Sequence, residues 1–437
     1  MTVAMAGRGP ALGVVAPFFV AAPAGLVAAG LILAFSTSDA FLAINAPRTV
    51  AATHAAVIGW LTTAIFGAVY QLGPAVFGGR LISARLARVH FFVHAISVPV
   101  FVWAVWRWDV TVMSIAGVGL VTSFILFLIN AIPATGSPRR GSLPTRYLAT
   151  ALGFVAVAAG FGITWVGTLQ HLWFPVTMGR LGGHAHLGLI GWLGLTVMGV
   201  AYQLVPMFNV VQRKRPAAGA WILGWTAPAV LAGALLLMTD PPMWARVVIA
   251  VAMAAGPGAW GAEMLRLMLA RSRRALDVQG RATFVSLGFL AATIVLGLLA
   301  AIGESVSPGG EPARILLAYG ICGIGGWAGV MLIGNSYKIL PFLVWYHRYR
   351  QLAGIRPVPV VSDIYSEPLA RAALTVHTSA TVVAMAGAVA GGMELLRAGG
   401  ALLAAGAAIH LASLVHIVVA PHTPTPQRLG PEKAAMP

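Results

Sequence analysis

Two histidines stand at matched places in two copies of one sequence pattern. Residues 53–77 read THAAVIGWLTTAIFGAVYQLGPAVF, and residues 185–208 read AHLGLIGWLGLTVMGVAYQLVPMF. His54 and His186 each precede the Trp of a Gly-Trp pair by six residues, near the outer ends of their apolar segments. Imidazole is the usual axial ligand of haem in a helix bundle, and it also binds copper. His184 lies two residues before His186, so the two rings leave a regular helix on nearly opposite sides and do not easily bind one metal. The competing account is a duplicated histidine that only hydrogen-bonds a neighbouring helix.

These residues must be held by membrane helices. The chain has 437 residues, 59% hydrophobic and only 9% charged, whereas soluble domains carry about 25% charged residues. A bilayer span needs about 20 apolar residues in a helix. Twelve such stretches are expected, near 11–35, 48–78, 87–106, 110–132, 147–170, 182–211, 218–238, 243–270, 282–303, 313–343, 371–395 and 399–420. Alternating short segments of the β-barrel kind do not recur. With the N-terminus inside, 21 of the 28 Lys and Arg fall in inner segments and six in outer ones. That asymmetry obeys the positive-inside rule and places both termini in the cytoplasm, with 421–437 as a cytoplasmic tail. It also accounts for the net charge of +17, so nucleic acid is not expected as a partner and membrane lipid is. The short N-terminus shows no convincing signal cleavage site. One cysteine, Cys322, excludes an internal disulfide framework and a multi-cysteine metal cluster.

A third copy of the pattern, GWAGVMLIGNSYKILPF, occupies residues 326–342. Trp60, Gly67, Tyr70 and Pro74 correspond without gaps to Trp192, Gly199, Tyr202 and Pro206, and to Trp327, Gly334, Tyr337 and Pro341. The copies fall on the second, sixth and tenth spans. The fold class expected is therefore an all-α polytopic membrane protein, a single membrane domain over 1–437. It is built as three pseudo-equivalent four-helix units: 1–135, 140–275 and 282–420. Trp, Gly and Pro recur at steps of seven along one side of a helix. The Gly lets a neighbouring backbone come close, the Pro ends the regular helix at the inner boundary, and the Tyr suits an interface, ring buried and hydroxyl wet. This stripe reads as scaffold.

Other ionisable residues have plainer readings. His90 and His94 are four apart, a metal-ligand spacing, but at the start of their span they read as an inner-interface pair on lipid phosphate or water. His377 and His416 read as interface or packing residues, and His410 as a hydrogen-bonded core residue. Lys338 replaces Gln71 and Gln203 of the other copies and is expected to snorkel to the inner interface. Glu263, three residues before Arg266, reads as half of a surface pair. In the third copy the histidine position is Ile321, followed by Cys322, which reads as a small apolar residue.

Twelve spans in three units, with the second, sixth and tenth singled out, resemble the main subunit of the haem-copper oxidase superfamily, which includes cytochrome c oxidase subunit I and the nitric oxide reductase large subunit. The stretch from His54 through Tyr70-Gln-Leu-Gly-Pro74 is similar to the family's second helix. The resemblance implies that His54 is an axial ligand of a low-spin haem, b-type here, and that His184 or His186 lies on the helix that supplies a copper or non-haem iron ligand. The family's tenth helix carries a His-x-His pair for its two haems and its seventh helix adjacent histidines; neither corresponding span here contains a histidine. The usual dinuclear centre therefore cannot be assembled from family positions. The resemblance implies a divergent protein of a bacterial inner (plasma) membrane. It would hold haem or one metal near the outer face, act in respiratory or NO/O2-linked redox chemistry, and work with an electron donor or other respiratory subunits. If catalytic, it would be an oxidoreductase of that kind. The alternative is a metal or small-molecule transporter, or an oxidase-assembly factor, that keeps the fold without redox activity.

Overall fold

The computed structural model describes residues 10–37, 44–135, 142–211, 218–272, 275–303 and 311–423. Most of the 421–437 tail, and Arg8, Arg139, Arg140, Arg213, Lys214, Arg215, Arg273, Arg274, Arg428 and Lys433, lie outside the described residues. Among the described residues, twelve helices are long and apolar enough to cross a membrane: α1 (Leu12–Ala34), α2 (Pro47–Ala75), α3 (Ala84–Arg107), α4 (Val110–Ala134), α5 (Leu143–His171), α6 (Met178–Phe208), α7 (Gly219–Leu237), α8 (Met243–Leu269), α9 (Val278–Ile302), α10 (Ala313–Arg348), α11 (Glu367–Ala390) and α12 (Met393–Val419). The chain is a multi-pass membrane protein. The last turn between spans is tighter than the sequence suggests. α11 stops at Gly391, whose φ of 67° suits only a residue without Cβ, and α12 begins at once at Met393.

The three helices that carry the Gly-Trp pattern are the central ones. Their apolar cores are 89%, 72% and 56% buried for α2, α6 and α10, more than those of the other nine. The other nine close a ring around them, in the order α1, α3, α4, α5, α7, α8, α9, α11, α12 and back to α1. Small residues make that last closure tight: a Cβ at Gly30 would strike the backbone of Ala404, and one at Gly400 would strike Ala34. Without a hydrophobic drive between helices in lipid, such close backbone approach is what holds them together.

Each central helix changes its winding around its Trp. The segments Ala55–Thr62, Leu187–Gly194 and Cys322–Gly329 are π-helical, eight residues each, and all three begin five residues before the Trp. The wider turn shifts backbone pairing to i→i+5 and leaves carbonyls open to side chains. Thr63 Oγ1 donates to Ile58 O at 3.0 Å, His377 Nε2 to Gly325 O at 2.8 Å and Ser286 Oγ to Trp327 O at 2.8 Å. The three π segments touch one another. Each Trp reaches the residue two places beyond the Trp of another copy. Trp60 lies on Gly329, Trp327 lies on Gly194, and Trp192 donates its indole N–H to Thr62 Oγ1 at 3.0 Å. The contacts close a cycle at the centre of the bundle.

The remaining motif residues differ in part from expectation. Gly67, Gly199 and Gly334 do admit close neighbours, but these are side chains: Phe18, Tyr147 and Ala282, on α1, α5 and α9. The prolines do not end the helices uniformly. Pro74 starts a second π turn, Gly73–Phe77, whereas Pro206 and Pro341 lie inside helices that run on to Phe208 and Arg348. The tyrosine hydroxyls are not wet. Tyr70, Tyr202 and Tyr337 are buried, and their hydroxyls pair with His90 Nδ1 (2.8 Å), Glu263 Oε2 (2.8 Å) and His410 Nδ1 (3.0 Å).

Candidate functional site

The residue immediately before each π segment is His54, His186 and Ile321. Both histidines are fixed alike. His54 Nδ1–H donates to Val50 O at 2.8 Å and His186 Nδ1–H to Gly182 O at 2.7 Å, each four residues back. With the proton on Nδ1, the free lone pair lies on Nε2, turned away from the helix.

The matched histidines nevertheless face different spaces. His54 lines a cavity of about 480 Å³ between α2 and α6, walled further by α3, α4 and α5. His184, and not His186, faces it from the α6 side. His184 Nδ1 is enclosed and has no hydrogen-bond partner. Around these imidazoles the lining is apolar, with Val57, Phe101, Val121, Val166 and Trp192 among its residues, and Thr62 joins Trp192 there. Phe101 meets the His54 ring edge-on, centroids 5.4 Å apart. Polar groups return at the mouth, where Ser114, Gln170 and His171 belong to the lining.

His186 points the other way, into a small cavity of about 90 Å³ between α6, α8, α9 and α10. Its Nε2 accepts from Tyr319 O–H at 3.1 Å, and the rings stack at 30°. One register describes both pairs. A residue six before one Trp faces a residue eight before the Trp of the next copy. His54 faces His184, and His186 faces Tyr319. The corresponding positions for the remaining interface are Ile321 and Ala52. The sequence alone left open which of His184 and His186 belonged with His54; the helix rotation decides it for His184.

Other ionisable residues are placed differently from their sequence reading. His90 and His94 are wholly buried, not at an interface. Thr63 spends its proton on Ile58 O, so His94 Nε2–H donates to Thr63 Oγ1 at 2.9 Å and Nδ1 accepts from Ser123 O–H at 3.0 Å. His377 is a packing residue, one of its two readings: it is buried against Trp60 with centroids 5.4 Å apart. His410 is a buried, hydrogen-bonded residue and His416 is exposed, both as read. Lys338 does not snorkel freely: Nζ pairs with Asp277 Oδ2 at 2.5 Å, and Asp277 caps the N-terminus of α9. Glu263 is buried and accepts from Tyr202 O–H and from the Ala218 N–H at 3.3 Å. Cys322 is fully buried, its Sγ 3.4 Å from Phe289 O.

Among the described residues, no three His, Cys, Asp or Glu side chains converge as a metal site. The His184–His186 pair, considered above for copper, is divided between two cavities. No family model matches the chain, and no curated protein does.

Proposed function

We propose that this chain is a membrane haem protein, divergent from the haem-copper oxidase main subunit, in which His54 and His184 are the residues that would hold the haem. The observation that carries the reading is the pair of imidazoles, from two different helices, on one largely apolar cavity of about 480 Å³. That volume is within the range of about 300–1,000 Å³ usual for cofactor sites. A bare transition-metal ion needs three or four protein ligands; a haem brings four nitrogens of its own and asks the protein for two. The donor set present suits the second case. The enclosed Nδ1 of His184, without a partner, supports it further, because ligation through that nitrogen would relieve a buried polar group.

The protein's own part is then concrete. The Val50 carbonyl holds the His54 proton on Nδ1 and presents Nε2. Phe101 limits the tilt of that ring. The apolar walls exclude water, which tunes the potential of a bound haem. When bound, the group supplies one-electron redox chemistry or diatomic-ligand binding. The reading departs from the family in one respect. The resemblance pairs the second helix's histidine with the tenth helix, whereas here it faces the sixth. In this proposal the three central helices head three four-helix units, both termini lie inside, and the cavity lies toward the outer face of a bacterial inner membrane. An electron donor or partner subunit meets the protein on that side.

The test is an absorption spectrum and haem analysis of wild type beside His54→Ala, His184→Ala and His186→Ala, grown with haem supplied. Bound haem should be lost in the first two variants and kept in the third. A wild type without a Soret band, or loss in His186→Ala with retention in His184→Ala, overturns it.

A further inference from the structure

The cavity's two boundaries are unlike. Toward the outer side it is tied shut. Gln170 Nε2 on α5 donates to Ser114 Oγ on α4 at 2.9 Å. The Trp173 ring lies directly on Gly167, and it stacks on His171 with centroids 5.8 Å apart at 21°. Toward the bilayer it is thin. Val118 on α4 and Ile163 on α5 line the cavity and are 69% and 51% exposed. The wall between them is made of residues with almost no side chain: Gly117, Ala159 and Gly162. A Cβ at Gly117 would meet nothing within 4 Å, and one at Gly162 would meet only His184 Cε1, at 3.8 Å. A slot of this kind, apolar and facing acyl chains, exposes no backbone donor that lipid would leave unpaired, because every wall residue is helical.

We propose that the cavity is filled from the bilayer, through the slot between α4 and α5, so that its ligand is an amphiphile with a large apolar face, dissolved in the membrane. This rests on the haem reading, which makes that ligand haem partitioned in lipid. The slot leads from Val118 and Ile163 past Gly162 to the His184 ring; Thr122 is the polar side chain beside it, and its hydroxyl is already donated to Val118 O at 2.8 Å. The outer route requires breaking the Gln170–Ser114 bond and lifting Trp173 off Gly167.

The experiment uses the full chain, purified without haem, in liposomes mixed with phosphatidylcholine vesicles carrying haem, and follows the Soret band in time. Gly117→Phe and Ala159→Phe add bulk to opposite walls of the slot without touching either histidine ligand. Both positions also line the cavity, so the readout is the rate of approach to each variant's own final occupancy. Each should slow it by about tenfold, equivalent to about 1.4 kcal/mol in the barrier, whereas a variant that only binds more weakly approaches its plateau no more slowly than wild type. Trp173→Ala should leave the rate unchanged. Wild-type rates in both slot variants overturn the route, as does faster uptake in Trp173→Ala. A wild type that takes up no haem from any source sinks the haem reading instead. The two failures are thus distinct.

Discussion

Replacing Gly329 by Ala tests the central cycle of tryptophans, and the structure sets both the size and the sign of the effect. A Cβ there would lie 2.5 Å from Trp60 Cη2, 2.9 Å from Trp60 Cζ3 and 2.9 Å from Ile324 O. Carbon atoms settle at about 3.5–4.0 Å, so the ring must move. It has little room. The His377 ring stands 5.4 Å from it, and His377 is pinned to Gly325 O at 2.8 Å. Overpacking of this kind costs about 1–3 kcal/mol. The gain in helix propensity from Gly to Ala offsets at most about 1 kcal/mol, which leaves a net loss on the order of 1–2 kcal/mol. The equivalent Gly194 is looser. Its Cβ would lie 3.1 Å from Trp327 Cη2 and 3.2 Å from Leu189 O, overlaps that a few tenths of an ångström relieve. Gly194→Ala should therefore be neutral within about 0.5 kcal/mol. At the third position Thr62→Ala leaves the buried indole N–H of Trp192 without its acceptor, at about 1–3 kcal/mol, and Thr62→Ser restores it. Thermal unfolding in detergent, read by size-exclusion recovery, ranks the four variants. Equal midpoints for Gly329→Ala and Gly194→Ala would refute the argument, since the same substitution at matched positions differs only in the seat for the ring.

Two further outcomes follow from buried groups. Cys322 is fully enclosed beside Phe289, so a membrane-permeant maleimide should leave the folded protein unlabelled; labelling should appear on heating at the unfolding midpoint and at a lower temperature in Gly329→Ala. Glu263 accepts from Tyr202 and the Ala218 N–H. Glu263→Gln keeps one amide oxygen for Tyr202 and should cost less than about 1.5 kcal/mol, whereas Glu263→Leu strands the hydroxyl and should cost about 1–3 kcal/mol, measured in the same unfolding assay.

The spans were legible because length and apolarity alone define them, and the helix ends differ from expectation by a few residues. The matched Trp, Gly, Tyr and Pro residues also pointed to the right helices as the central ones. The change of winding was not legible. Nothing in AAVIGWLT, LGLIGWLG or CGIGGWAG distinguishes an i→i+5 turn from an i→i+4 one, since contacts with neighbouring helices decide it. The sequence left both His184 and His186 open as partners of His54, although His186 is the one that matches His54 in register, six residues before a Trp. Their equivalence is the reason they do not meet: in a cyclic arrangement like positions point into successive interfaces, and each meets an unlike one. His90, His94, His377 and Glu263 lie near helix ends in the sequence, where water or lipid headgroups are the natural partners. Their hydrogen bonds run to hydroxyls and carbonyls on other helices, many of them far away in the chain.

The tryptophan cycle also carries an order of assembly. Trp192 finds Thr62 as soon as α6 is in the membrane, and Trp327 finds Gly194 once α10 arrives. Trp60 has to wait for Gly329, more than half the chain after it, and α1 gains its α12 neighbour only when the last helix is made. The nascent bundle is thus an open arc until late in synthesis. The His54–His184 cavity is not subject to that delay. Every residue that lines it falls between His54 and Trp192, so its walls are complete while half of the polypeptide is still to be made. The cavity belongs to the first half of the chain, and the second half completes the bundle around its central helices.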